Sequence, residues 1–460
     1  MSKLKALNLV SIILAFVFIF SIVGCSSGNG AGGETPAETA TETPTEATKA
    51  PAEEPAEEVI DMQGKPIKIA AWWSADPRAV AEAERDAYTQ KSIEVIEQVE
   101  KKYNTKIEFV TLDYNQFVEQ FTTTSLAGEP VADIVRLELF WMFPKLVKDG
   151  FVAPLEDYIA IDQAKVPAWM IKGGTYEGKQ YGLVDSAPSG FGVWYNKTLF
   201  QKLGLEDPYQ LQQKGEWTWD KFVEIAKSAT KDSDGDGKVD TVGLSAGARD
   251  LFNMFVYTNN SSVDVAEDGS PKFSLDSPNA MEAAQAFYDL YNTHKVVDTA
   301  GQNFVDGKVA MTLHFTWQVG DYKQNMTDEL GFVFFPKGPK AEKYTTHTPF
   351  GNMWAVSKMS KNAEVAAKVL DEITLWTTVY QDVQDMVNES RQATYPSAEI
   401  IDTVKQMSDN VEYINYTVYP EATGILDEAT KNMAEGKETP ATAIEKIKPL
   451  LESSMKQILE

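Results

Sequence analysis

Ile67-Lys68-Ile69-Ala70-Ala71-Trp72, Ile107-Glu108-Phe109-Val110-Thr111-Leu112 and Ala132-Asp133-Ile134-Val135 are three short apolar runs that read as strands. The segments between them have helical spacing. Within Val80 to Tyr103, the residues Ile93, Ile96, Val99 and Tyr103 share one helical face. Within Tyr114 to Leu126, Phe117 and Phe121 stand one turn apart, and a further helix is expected from the third strand through Leu146. Strands alternating with helices predict an α/β chain with a mostly parallel sheet covered by helices.

The same units continue toward the C-terminus. Thr218 is suited to cap a helix through Ala229, with Asp220 in its first turn. Ser277-Pro278 opens another, whose apolar face carries Phe287 and Leu290. Ala363–Leu375 and Ala441–Leu459 are further helix candidates. No fixed-period repeat is visible. Roughly 400 residues follow the N-terminal region, and a single core rarely exceeds roughly 250–300, so two lobes are expected.

Toward the N-terminus the composition changes. Lys3 and Lys5 precede an apolar run, Leu9 to Val23, which ends at Ile22-Val23-Gly24-Cys25. The run is shorter than the about 20 residues that span a bilayer, and with its charged start it reads as a signal peptide over residues 1–24. Ile22 to Cys25 resembles the bacterial lipobox, which implies that Cys25 is acylated and becomes the first mature residue. Cys25 is the sole cysteine, so no internal disulfide is possible. A diacyl anchor supplies the two-chain grip that stable attachment needs. Residues 25–60 then form the lipidated cysteine and an acidic tether. Residues 26–60 hold eight Glu and one Lys, and Ser26–Glu58 has no aromatic residue and no aliphatic one larger than Ala. Such a stretch buries too little apolar surface to order. The net charge of −26 argues against nucleic acid as a partner, since phosphate binding needs a basic face.

Five segments in order then carry a resemblance. They are Tyr176-Glu177-Gly178-Lys179-Gln180-Tyr181-Gly182-Leu183, the run Val193-Trp194-Tyr195-Asn196-Lys197-Thr198-Leu199-Phe200-Gln201-Lys202-Leu203-Gly204, Glu216-Trp217-Thr218-Trp219-Asp220-Lys221-Phe222, Gly307-Lys308-Val309-Ala310-Met311 with Trp317 following, and Gly351 to Val356 leading into Ser357-Lys358. Together they resemble the extracellular solute-binding proteins of ABC importers, in the sugar-binding group that includes maltodextrin-binding protein. The resemblance implies a two-lobed periplasmic-binding-protein-like fold of type II, each lobe a mixed, mostly parallel sheet flanked by helices, with the ligand cleft between them. It places lobe 1 at 61–185 plus 350–398 and lobe 2 at 186–349 plus 399–460. It implies crossings near Val184–Ala187, Pro349–Asn352 and residue 398, hinge closure around solute, and a membrane permease as partner. With the lipobox it implies a monomer anchored to the outer face of the cell membrane of a Gram-positive bacterium.

A pyranose offers an apolar C–H face to an aromatic ring and a rim of hydroxyls to carboxylates, amides and Arg. Trp72 and Trp73 end the first strand, where ligands gather in open α/β sheets. Strand alternation predicts that only one of them faces the cleft. Asp76 follows in the same loop. Glu138 and Trp141 are expected just after the third strand. Trp317 stands where the family places a sugar-stacking tryptophan, Trp354 lies beyond the second crossing, and Tyr395 is near the third. Ser189 stands where some family members present an acidic sugar contact. Trp169, Trp217, Trp219 and Trp376 are expected to be packing residues.

Asp232-Ser233-Asp234-Gly235-Asp236-Gly237-Lys238-Val239-Asp240 places carboxylates at positions 1, 3, 5 and 9 of a calcium loop, Gly237 at its turn and the Lys238 carbonyl at position 7. Gly243 stands at position 12, so the usual bidentate Glu is missing. A structural calcium ion is expected here. Gly243-Leu244-Ser245-Ala246-Gly247 matches a nucleophile elbow, with only His294, His314 and His347 to serve as base. The flanking sequence matches a binding-protein strand instead, and no enzyme is expected. The alternatives are a binder of a non-sugar solute, a surface glycoside hydrolase, whose two carboxylates need a set separation, and an adhesion or scaffold protein.

Overall fold

The computed structural model describes residues 60–161, 166–184, 189–265, 270–299, 303–349, 351–379 and 381–459. The signal peptide, Cys25 and most of the tether lie outside these residues, as do parts of the first two expected crossings. The strands are β1 (Pro66–Ala71), β2 (Lys106–Thr111), β3 (Ile134–Glu138), β4 (Thr175–Tyr176), β5 (Lys179–Gln180), β6 (Gly182–Val184), β7 (Phe191–Asn196), β8 (Val242–Ser245), β9 (Val309–Phe315), β10 (Leu330–Val333), β11 (Thr346–Thr348), β12 (Asn352–Val356) and β13 (Val411–Tyr413).

Two mixed sheets organise the chain. The first has the order β2-β1-β3-β12-β6, and the second β10-β7-β9-β8. Parallel pairing joins β1 to β2 and β3, and β8 to β9. The strands that return from the other sheet's segments run against these: β12 is antiparallel to β3 and β6, and β7 to β9 and β10. A small parallel sheet, β11–β13, stands apart from both.

Period-two alternation explains why each sheet is covered on both faces. Ile67, Ile69 and Ile134 pack with Ile96, Val99 and Leu370 on one side of the first sheet. Their neighbours Ala70, Val135 and Leu137 pack with Phe117 and Phe121 on the other. In the second sheet, Val193, Tyr195 and Val333 join Phe222, Phe252 and Phe287. Trp194 and Phe332 turn the opposite way, toward Tyr322, Ile400 and Met407.

Most predicted elements form with shifted ends, but the helix expected from the third strand through Leu146 is broken: it stops after Leu139–Trp141, and Phe143, ahead of Pro144, is extended at φ −109° and ψ 137°. The first long helix spans Ala87–Lys102 and not Val80–Tyr103, because Asp86 caps it by accepting the Thr89 N–H at 2.8 Å. The preceding residues fold into single 3-10 turns at Pro77–Ala79 and Glu82–Glu84. Thr218 and Ser277 cap helices Trp219–Ala229 and Pro278–Asn292 as expected. Helices Ala363–Val379 and Pro440–Leu459 complete the two expected near the C-terminus. Among the described residues no helix is long and apolar enough to cross a membrane.

Candidate functional site

Two groups of side chains sit where the parallel strands end. At the first sheet, β1 runs out at Ala71 into Trp72 and Trp73, β2 leads to Tyr114, and β3 ends on Glu138 with Trp141 one turn later. The rings form an edge-to-face group. Trp72 lies 5.3 Å from Trp73, 5.5 Å from Tyr114 and 5.4 Å from Trp141, centroid to centroid. Trp141 and Tyr114 are 4.7 Å apart, and Trp73 is 6.4 Å from Trp354 on β12. Trp73 is 40% exposed, enough to offer a ring face, whereas Trp72 is half-buried against Phe117.

The two tryptophans differ as alternation predicts, Trp72 packing with the Phe117 cluster and Trp73 standing open near Trp354, yet their rings stay in contact. The Arg136 guanidinium stands 4.8 Å from one ring and 4.4 Å from the other. Both tryptophans lie past the end of β1, where the pleat no longer fixes their directions. A single cation thus bridges both electron-rich faces. Glu138 ends β3 rather than following it, and is buried. Asn352, its amide nitrogen turned toward the carboxylate, donates to Glu138 Oε1 at 2.9 Å. Burial, and then the Glu138 charge, push the Tyr114 hydroxyl above its ordinary pKa. Asp76 has a different partner. It caps the turn at Pro77, and its carboxylate accepts from Arg78 Nε at 2.8 Å, while Arg78 also reaches Glu100 at 3.0 Å.

At the second sheet, Trp317 follows β9 in the turn Thr316–Gln318 and is 58% exposed. His314 meets it edge-on at 4.7 Å, and Phe315 stacks with it at 5.9 Å. Because β8 runs parallel to β9, the residues after β8 emerge at the same edge. There the helix Ala248–Tyr257 starts with Arg249 and Asp250 in its first turn. Arg249 Nη1 donates to both oxygens of Asp427 at 3.0 Å. Burial raises the Asp250 carboxyl above its usual range, against the neighbouring Arg249. Burial lowers His314, with Asp250 opposing. This edge therefore presents an open indole beside an acid, an imidazole and a guanidinium, the donors and acceptors a hydroxyl rim requires.

Tyr114, Arg136, Arg249, Asp250 and His314 were missed in the sequence. Their one signal is position, since each lies within a few residues of a parallel strand's C-terminal end. Tyr395 is not brought to either edge group; it packs, half-buried, against the cluster of Trp194, Phe332 and Ile400. Trp217 and Trp219 are buried and Trp169 packs against the first lobe's clusters, while the Trp376 side chain lies outside the described residues. Ser189 is exposed. Gly243 to Gly247 does join a strand to a helix, but among the described residues no hydrogen bond joins the Ser245 hydroxyl to His294, His314 or His347.

The acidic loop lies between the helix Trp219–Ala229 and β8, closed at its neck by a Lys231–Thr241 bridge. Carboxylate oxygens of Asp232, Asp234 and Asp240 lie within 4.8 Å of one another. Asp232 accepts the N–H groups of Gly235 at 2.7 Å and Gly237 at 2.9 Å, and these bonds hold its pKa below the usual carboxylate range. Gly235 and Gly237 sit at φ 78° and 87°, a left-handed bend that side chains resist. Asp236 accepts from the Lys238 N–H at 2.8 Å. Three convergent acids on a wrapped loop fit a hard, oxygen-seeking cation.

The described geometry has counterparts. A putative binding protein of Brucella abortus is 24% identical over 300 residues, covering 62% of this chain and 69% of its own. The ABC substrate-binding protein of Listeria monocytogenes in complex with cycloalternan is 21% identical with a TM-score of 0.57, over 85% of this chain and 99% of that one. The extracellular solute-binding protein of Staphylococcus aureus in complex with maltose is 16% identical with a TM-score of 0.63, over 86% and 98%. At such identities these structures establish a shared two-lobed fold. The model of the bacterial extracellular solute-binding protein family matches residues 83–375, more than half of the sequence, and the chain belongs to that family.

Proposed function

We propose that this protein captures a neutral sugar or oligosaccharide in a cleft between two lobes and delivers it to the permease of an ABC importer. The observation that carries this reading is the pair of open indoles, Trp73 and Trp317, each at a parallel-strand edge of a different sheet, the first beside the Arg136 guanidinium and the second beside the His314 imidazole. Apolar ring faces with a polar surround suit a pyranose better than a ligand of fixed charge. The cycloalternan and maltose held by proteins of similar fold support the same class. Within this reading, lobe 1 comprises 61–185 plus 350–398 and lobe 2 comprises 186–349 plus 399–460. Trp72, Trp141, Trp354 and Glu138 support the first edge, and Asp250 and His314 the second. Cys25 anchors the monomer to the outer face of the membrane. Asp232, Asp234, Asp240, Asp236 and the Lys238 carbonyl hold a calcium ion that stiffens the loop and takes no part in sugar binding.

A thermal-shift screen of the purified protein against a carbohydrate panel tests the reading, since a ligand that binds only the folded state raises its melting temperature. A concentration-dependent rise with a maltodextrin or related glycan is expected. No response to any sugar, with a response to an amino acid, peptide or charged solute, overturns it. Release of reducing ends from an oligosaccharide would instead identify a hydrolase.

A further inference from the structure

A cavity of about 1400 Å³ opens beside the C-terminal end of the helix Ala248–Tyr257 and the β11–β13 sheet. None of the edge aromatics, Trp72, Trp73, Trp141 or Trp317, lines it. Several independent features of its wall agree. Ser277 and Asn279, at the start of the helix Pro278–Asn292, are part of it, so the positive end of a long helix dipole meets the cavity. Lys272 and Lys343 also line it, and among the described residues neither is in an ion pair; Lys340 is 3.9 Å from Glu282. Of the wall's carboxylates, Asp276 is paired with Lys448 at 2.6 Å and Glu412 with Lys172, which leaves Glu342. Among the described residues the wall thus carries two ammonium groups outside ion pairs against one such carboxylate, the reverse of the balance in a chain of net charge −26.

The floor adds a second kind of observation. His347, on β11, is only 5% exposed, yet neither ring nitrogen has a hydrogen-bond partner among the described residues, and Nδ1 is fully enclosed. Its ring stacks on Tyr257 at 4.9 Å. A buried polar group left unpaired costs stability that a solvated one does not. Burial, and then the Lys172 charge, push its pKa down to about 3, so at neutral pH it is a neutral imidazole with one N–H to give.

We propose that this cavity is a second small-molecule site, distinct from the sugar cleft, which takes a small organic anion. Lys272, Lys343 and the start of the helix Pro278–Asn292 hold the carboxylate or phosphate group, and His347 supplies a neutral contact at the floor. The site needs no change in the protonation of the protein.

Titration calorimetry on the full chain, purified in detergent, tests this with inorganic phosphate, with succinate and with neutral glycerol as control. Binding of phosphate alone identifies phosphate chemistry, and binding of succinate alone identifies a carboxylate ligand; either supports the site. Affinity should fall with added salt, as exposed charges are screened. Lys272 and Lys343 are exposed, so the K272E/K343E variant should fold and yet lose at least about tenfold in anion affinity. Titration followed by imidazole NMR should shift the His347 resonances in the wild type. W317A should leave anion binding unchanged, which separates this site from the cleft. The proposal is overturned if neither anion binds, if the double lysine variant binds as the wild type does, or if the His347 signals stay fixed at saturation.

Discussion

Trp317 turns 58% of its surface to solvent and rests on His314 and Phe315. Its ring contributes little to either core, so W317A should fold with a nearly unchanged melting temperature. Sugar affinity should drop about 5–150-fold, the equivalent of about 1–3 kcal/mol for a lost aromatic face. Calorimetry checks this, and unchanged affinity would remove Trp317 from the site. His347 makes a prediction of another kind. Its folded pKa is about 3 against an ordinary value of 6.5, so across that window the unfolded chain binds more protons. Stability should therefore fall as pH falls from neutrality, by about 3 kcal/mol on reaching pH 4 from this group. Asp264 acts in the opposite sense. Burial pushes it up to about 6, so its contribution is present in acid and is lost as pH rises through about 4–6. Urea unfolding at pH 7 and pH 4 should show H347Q losing less stability on acidification than the wild type, and D264N losing more. Equal pH dependence in all three proteins would show that these groups do not set the acid limb. Residue type pointed to Trp317, but the sequence offered His347 only as a candidate base and gave no sign of its burial, which comes from elements far apart in the chain.

At the scale of elements, the caps were the most legible features. Ser277-Pro278 and Thr218 start their helices because a side-chain oxygen accepting an N–H two or three residues on is a local interaction, complete within one turn. The calcium loop is local in the same way. Its spacing of acids already draws Asp232, Asp234 and Asp240 together, and the two glycines supply the bend. Chelator should lower the melting temperature and calcium should restore it, because binding to the folded loop alone stabilises it by mass action. Asp234→Ala should abolish that response and leave sugar affinity within about twofold, since the loop sits between a helix and β8 and away from both edge groups. A wild-type melting curve indifferent to chelator, with no metal by elemental analysis, would dispose of the site. The start of the first long helix was less legible. Its apolar spacing begins near Val80, but Asp86 offers a better cap than any residue before it, and two 3-10 turns take up the remainder.

For the whole molecule, the strongest expectation from Cys25 concerns location. C25S should leave the protein in the culture medium rather than the membrane fraction, as immunoblots of the two would show. Retention of the variant on membranes would rule out the lipid anchor. The sequence by itself determined the α/β class, the helix caps, the acidic loop and family membership, because each rests on periodicity or on residues close in the chain. It could not supply the sheet order β2-β1-β3-β12-β6, which inserts β12 beside β3 across more than two hundred residues. Nor could it show that Trp72 and Trp73 share one guanidinium, that Glu138 faces Asn352, or that Asp250 stands with His314. Those neighbours are set by which strand ends lie side by side. That arrangement follows from burying both faces of two sheets at once, a condition on the entire chain that no local stretch of sequence contains.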